Sequence, residues 1–306
     1  MAGTLRGGVI GAGVFGRYHA RQYANLPGVA LSGVLDIHTD RAGKVAAPLG
    51  GRGFREMDAF LEAVDVVTIA SPATFHAEHA LAALAAGKPV YIEKPIAVSL
   101  ADAERVRAAA AAQGLVVACG HQERVRFRAM GLLDVPQQPL LLEALRHGPP
   151  SDRSRDVSAV LDLMVHDLDL ALSISAADPV TAEGEGRRTD GVWDLARAEV
   201  SFDDGFTAIF DVSRQAPERK RTMRVVYPAG EVEIDFLTGA FRNTTPFALN
   251  ADFASTPAAK DPLGASLAGF LKAVRGEAPR PVVTADEAIR ALDLAIAVEQ
   301  GLTDAQ

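Results

Sequence analysis

Apolar positions in the first 120 residues fall into short runs separated by stretches of helical period. Runs at 8–10, 30–36, 64–70 (VDVVTIA), 90–93 and 115–118 are apolar on both faces, the pattern of strands covered on both sides. Between them, 15–25, 41–47, 75–86 and 99–113 carry helical spacing. Ser99, with Asp102 three residues on, suits a helix start, and Gly87 and Gly114 stand where helices should stop. This alternation predicts an α/β domain over 1–120, built on a doubly wound parallel sheet. Beyond Gly120 the pattern changes. Strands are expected at 140–146, 196–202, 206–213, 222–227 and 231–236, with Asp203-Asp204-Gly205 as a hairpin turn. Helices are expected at about 157–174, at 263–275 and at 285–300, the last opened by a Thr284/Glu287 capping box. Residues 121–306 therefore predict an α+β domain with a mainly antiparallel sheet.

Composition narrows the possibilities. A length of 306 residues fits two domains, and 48% apolar with 23% charged residues is ordinary globular usage. Thirty-one basic against thirty-nine acidic residues leave a net charge of −8, a field that repels phosphate backbones, so no nucleic-acid partner is expected. The single Cys119 excludes an intramolecular disulfide and a cysteine metal cluster and fits a reducing compartment. No apolar run approaches the ~20 residues of a membrane span. Glycines interrupt the N-terminal run at 9–15, and no cleavage-site pattern follows it. The expectation is a cytoplasmic protein with no membrane partner.

The candidate chemistry starts at GAGVFG. Gly11, Gly13 and Gly16 follow a strand and open a helix, with Val14 and Phe15 between them. In a Rossmann-type turn the first glycine permits the bend, the second lets a pyrophosphate approach the backbone, and the third lets helix and strand pack closely. Asp36, twenty residues after Gly16, stands where a carboxylate accepts hydrogen bonds from the adenosine ribose, which favours NAD over NADP. Ser71 and Pro72 lead from a strand toward His76 at the carboxyl edge of the sheet, where such folds bind ligands. His76 and His79 lie one turn apart without a third ligand nearby, so no metal is expected. Glu93-Lys94-Pro95 ends another strand at the same edge, and Lys94 is one of only six lysines. An ammonium there suits stabilisation of a developing alkoxide. Asp162 and His166 are spaced i, i+4 on a polar stripe with Asp169 and Ser173, opposite a buried stripe that includes Met164. A histidine oriented by a carboxylate suits removal of a hydroxyl proton, and an ordinary surface ion pair is the plain alternative. Arg124, Arg126 and Arg155 suit bidentate binding of a diphosphate, or are solvated surface residues.

Taken together, the glycine fingerprint, SPATFH at 71–76, EKP at 93–95, the Asp162/His166 pair and DPLGASLAGFLKAV from Asp261 resemble the glucose–fructose oxidoreductase / inositol dehydrogenase / rhizopine-catabolism (Gfo/Idh/MocA) family. GHQER at 120–124, HGPP at 147–150 and RDVSAVLDLMVHDLDL at 155–170 resemble its UDP-N-acetylglucosamine 3-dehydrogenase branch, although Val125-Arg126 stands where that branch generally has Phe-Asn. The resemblance implies an NAD-dependent oxidoreductase moving a hydride between nicotinamide and a secondary hydroxyl or ketone of a sugar, cyclitol or nucleotide sugar. It implies Lys94, Asp162 and His166 as catalytic residues, and Gly11, Gly13, Val14, Phe15, Gly16, Asp36, Ser71, Pro72, His76, Glu93 and Lys94 at the cofactor. Lys94, Arg124, Arg155, Asp162 and His166 are expected at the substrate, and a homodimer or homotetramer is implied through the second-domain sheets. Two rivals share the fold: an NAD-dependent glycosidase without net NADH production, and a non-catalytic protein sensing NAD or a sugar.

Overall fold

The computed structural model describes residues 3–150 and 156–305. They form two compact units. One holds the chain up to Gln122 together with Leu263–Ile289; the other holds Glu123–Pro262 and the chain from Arg290 onward. The single boundary expected near residue 120 thus differs for 263–289, which pack with the first unit.

The first unit starts β1 (Leu5–Ile10), α1 (Val14–Asn25), β2 (Val29–Leu35), α2 (Thr39–Ala46), β3 (Arg52–Phe54) and α3 (Met57–Glu62). It continues β4 (Val66–Ile69), α4 (His76–Ala85), β5 (Val90–Ile92), α5 (Leu100–Gln113) and β6 (Val117–Cys119). Every strand pairs parallel, in the order β3-β2-β1-β4-β5-β6, the doubly wound arrangement that the alternation predicted. The order reverses between β1 and β4, so the glycine turn after β1 and the Ser71-Pro72 segment after β4 lie beside each other at the carboxyl edge. Ser99 caps α5 by accepting from Asp102 N at 3.2 Å, and Gly114 closes it at φ 64°. Thr284 and Glu287 form the reciprocal capping box, at 2.8 and 3.3 Å.

The second unit contains α6 (Glu123–Met130), β7 (Leu141–His147), a π-helical turn (Val160–Met164), α7 (Val165–Ile174), β8 (Pro179–Thr189), β9 (Val192–Phe202) and β10 (Thr207–Ser213). Then come β11 (Lys220–Tyr227), β12 (Gly230–Asp235), β13 (Phe241–Asn243) and α8 (Pro257–Lys260). Helix α9 (Pro262–Val274) carries the chain into the first unit, where Leu267, Phe270 and Leu271 join the core around Tyr23 and Tyr91. Helix α10 (Ala285–Gly301) and β14 (Leu302–Asp304) end the chain. The eight strands order as β13-β12-β11-β7-β10-β9-β8-β14, antiparallel except for the β7–β10 and β8–β14 pairs. In β7, β10 and β11 alternate residues are buried, so one face of the sheet carries the core of this unit. Among the described residues no helix is long and apolar enough to cross a membrane.

Candidate active site

The glycine turn divides its work as its spacing predicts. Gly11 has φ 99°, and a Cβ there would meet Ala70 O at 2.6 Å. At Gly16 a Cβ would fall 1.7 Å from Gly11 O, so only glycine lets α1 pack onto the turn. Gly13 is different: a Cβ there would meet nothing within 4 Å. It is the N-cap of α1 and makes no side-chain cap. Open space over a bare helix start is what a pyrophosphate needs, because the first N–H groups point outward and the helix dipole favours negative charge. Asp36 directly follows β2, half-buried, one oxygen accepting from Ala12 N at 2.8 Å and the other from His38 N at 2.9 Å. The carboxylate is thereby pinned beside the glycine turn, placed to accept ribose hydroxyls and to repel a 2′-phosphate. These residues fit NAD.

Behind this edge lies a buried polar layer. Glu93, 6% exposed, accepts from His19 Nε2 at 2.6 Å and from Gln122 Nε2 at 3.1 Å, both on Oε1. Burial pushes its carboxyl up, but the hydrogen bond and charge of His19, then the charge of Lys94, outweigh burial and hold it below the ordinary value. Glu93 is therefore the anionic floor under Lys94, which is half-buried and joined to Pro95 by a cis peptide bond. His76 Nδ1 lies 2.7 Å from Pro95 O and its Nε2 lies 3.0 Å from Ser71 O. Burial keeps its pKa below the ordinary value despite those two carbonyls, so the neutral ring donates to only one of them. With both nitrogens turned to backbone, His76 shapes the cofactor edge by joining the Ser71 and Pro95 segments. Ser71 Oγ and His79 Nδ1 pair at 3.0 Å.

In the second unit, the helix expected over 157–174 begins with the π turn and becomes α-helical at Val165. Asp162 lies in the π turn and His166 in the first turn of α7, both half-buried. Single π turns gather at functional sites, because the extra residue re-aims side chains that a regular helix would direct elsewhere. Met164 is fully buried, which supports a packing role. The polar stripe is not uniform. Asp169 is 1% exposed and holds Arg124 bidentately at 2.7 and 2.8 Å; Arg124 is itself buried. Arg124, expected at the substrate, thus turns its Nε and Nη2 to a carboxylate 45 positions away. Arg126 bonds Glu123 at 3.1 Å. Arg155 lies outside the described residues. Asp167 binds Arg146 bidentately at 2.8 and 2.9 Å, a buried pair that spacing alone did not reveal. His19 also escaped notice, although it follows Gly16 at i+3 on the stripe that buries Ala20 and Tyr23, a position where a histidine needs a partner.

Comparison with known proteins identifies the family. Residues 5–121 match the family model described as the oxidoreductase family with an NAD-binding Rossmann fold, and residues 143–233 match the GFO/IDH/MocA C-terminal domain. The chain is 36% identical over 285 residues to UDP-N-acetylglucosamine 3-dehydrogenase of Acidithiobacillus ferrooxidans, covering 90% of each chain. A solved structure of that enzyme superposes with a TM-score of 0.88 at 33% identity, over 99% of this chain and 98% of the other. Inositol 2-dehydrogenase 3 of Saccharopolyspora erythraea is 35% identical over 179 residues, 54% of this chain and 52% of its own. The chain belongs to the GFO/IDH/MocA family of NAD-binding oxidoreductases and is a dehydrogenase.

Proposed function

We propose that this protein oxidises the C3 hydroxyl of UDP-N-acetylglucosamine to a ketone, or runs the reverse reduction. One observation carries the substrate: identity to the A. ferrooxidans enzyme extends over 90% of both chains, whereas identity to the S. erythraea inositol dehydrogenase spans 54% of this one. Substrate choice in a two-domain dehydrogenase resides largely outside the dinucleotide-binding half, so likeness through the second unit weighs more than a shared glycine turn.

Bound NAD supplies the hydride acceptor. Every other task falls to the chain. The Gly13 N–H and the start of α1 hold the pyrophosphate, and Asp36 takes the ribose. Val14, Phe15, Ser71 and Pro72 line the cofactor edge, and Glu93 supports it from below. His166 takes the proton from the substrate hydroxyl, and Asp162 orients the ring and steadies its charged form. Lys94, at the cofactor edge, supplies an ammonium that stabilises developing negative charge, and Glu93 balances it. The protein acts in the cytoplasm as a homodimer or homotetramer joined through the second-unit sheet. That sheet presents half-exposed Leu145, Ile209 and Val226 on the face opposite the core of its unit.

The test is nicotinamide reduction by purified protein across UDP-sugars, free sugars and inositols. Stoichiometric NADH from UDP-N-acetylglucosamine is expected. Turnover of an inositol or a free sugar with UDP-N-acetylglucosamine inert contradicts the substrate. Cleavage of a chromogenic glycoside without NADH points to the glycosidase rival, and NAD binding with no turnover at all to the sensor.

A further inference from the structure

Each buried or half-buried arginine among the described residues on α6 or beside α7 has its carboxylate, with one exception. Arg124 closes on Asp169, Arg126 on Glu123 and Arg146 on Asp167. Arg221 is the exception. It opposes Arg146 in the β7–β11 register, so the two side chains stand on one face as nearest neighbours. That face is the interior one, because Met223, Val225 and Tyr227, which alternate onward from Arg221, are all buried. Arg221 is half-buried, and among the described residues its guanidinium makes no hydrogen bond or ion pair. The charged groups that act on it are the guanidiniums of Arg146 and Arg219 and the carboxylates of Glu123 and Asp167. Burial first, and the charge of Arg146 next, pull the Arg221 guanidinium below its ordinary pKa, the mark of a cation missing a counter-ion. Its place in the fold is equally pointed. Arg146 is the penultimate residue of β7, the strand end from which the chain runs on to the π turn bearing Asp162.

We propose that Arg221 is a specificity-determining residue that takes a phosphate oxygen of the substrate's diphosphate. This rests on the nucleotide-sugar reading above. Two like charges side by side on a sheet face are unfavourable unless an anion joins them. Arg146 is already locked by Asp167, which leaves the half-buried Arg221 fork open to receive one. A guanidinium matches phosphate geometry with two parallel N–H donors, which an ammonium cannot do. A dehydrogenase for a neutral cyclitol has no use for this feature, so Arg221 would separate the two substrate classes.

The test is calorimetric titration of UDP into the wild-type enzyme, Arg221→Gln and Arg221→Lys, with melting temperatures and steady-state kinetics alongside. Arg221→Gln should weaken UDP about ten- to hundred-fold and raise KM for UDP-N-acetylglucosamine by a similar factor, more than it lowers kcat. Arg221→Lys should recover part of the loss. The melting temperature of the unliganded Gln variant should hold or rise, because a half-buried charge beside Arg146 is gone. UDP affinity unchanged in Arg221→Gln, with the wild type still oxidising UDP-N-acetylglucosamine, overturns the inference and leaves the proposed function intact. A loss of affinity that tracks a fall in melting temperature also overturns it. A wild type that does not bind UDP and oxidises only neutral sugars removes both.

Discussion

His19 Nε2 lies 2.6 Å from Glu93 Oε1, with the histidine wholly buried and the glutamate nearly so. The pair joins α1, which opens at the glycine turn, to the strand end that carries Lys94. His19 thereby holds the Glu93 carboxylate in place. Replacing it with Phe leaves the carboxylate with Gln122 alone, and breaking a buried pair of this kind costs about 3–5 kcal/mol. Denaturant unfolding of His19→Phe at pH 7 should show a loss in that range; a loss within about 0.5 kcal/mol would deny the pair its role.

The same pair sets a pH dependence. The folded pKa of Glu93 lies below its ordinary value of 4.5. The stabilisation is therefore complete above that value and drains away as pH falls through the lower folded one. Melting temperature should fall more steeply for wild type than for Glu93→Gln on acidification below about pH 5. Parallel curves would contradict the assignment.

Gly13 and Gly16 should separate binding from folding. Gly13→Ala adds a methyl where nothing lies within 4 Å, so its melting temperature should match wild type while NAD affinity drops about tenfold or more. Gly16→Ala forces a methyl within 1.7 Å of Gly11 O and should destabilise the first unit by about 1–3 kcal/mol or prevent folding. Calorimetry with NAD and thermal melts distinguish the two, and equal effects from both would refute the division of labour.

Much of this was legible in the amino-acid order. The glycine turn, Asp36 and the Thr284/Glu287 box are local patterns whose physics needs no distant partner. What escaped were relationships across long separations. Arg124 and Asp169 stand 45 positions apart, and spacing shows which residues share a helix face without showing what covers it. The π turn was equally hidden, since one added residue leaves little trace in a stretch where only Asp162 interrupts the apolar residues of Val160–Val165. Strand β8 went unseen because glycines supply its inward positions. A Cβ at Gly184 would lie 2.2 Å from Arg197 O, so close approach of β9 replaces the apolar alternation that marks other strands. Residues 263–275 read as ordinary helix, and only the packing of Leu267 and Phe270 into the core with Tyr91 assigns them to the first unit.

Arg124→Gln should behave as a structural change. With the buried Asp169 deprived of its guanidinium, stability should fall by about 3–5 kcal/mol, and UDP affinity of the folded fraction should hold. A stable variant with a selectively raised KM for the nucleotide sugar would restore Arg124 to the substrate.

For the catalytic group, His166→Ala should lower kcat by at least about 10²-fold with the fold intact, since that is the usual scale for a lost general base. Asp162→Asn should lower it less and displace the acid limb of the pH–rate profile. A His166→Ala enzyme within a few-fold of wild type would remove the histidine from proton transfer.

The most direct measurement follows the hydrogen itself. UDP-N-acetylglucosamine carrying deuterium at C3 is turned over with NAD, and the reduced nicotinamide is weighed by mass spectrometry. One deuterium per nicotinamide is expected from the C3-labelled sugar, and none from sugar labelled at C4. Reduced nicotinamide that forms without the C3 label, or a C3-labelled sugar recovered unchanged while other polyols are oxidised, would contradict hydride transfer from that carbon.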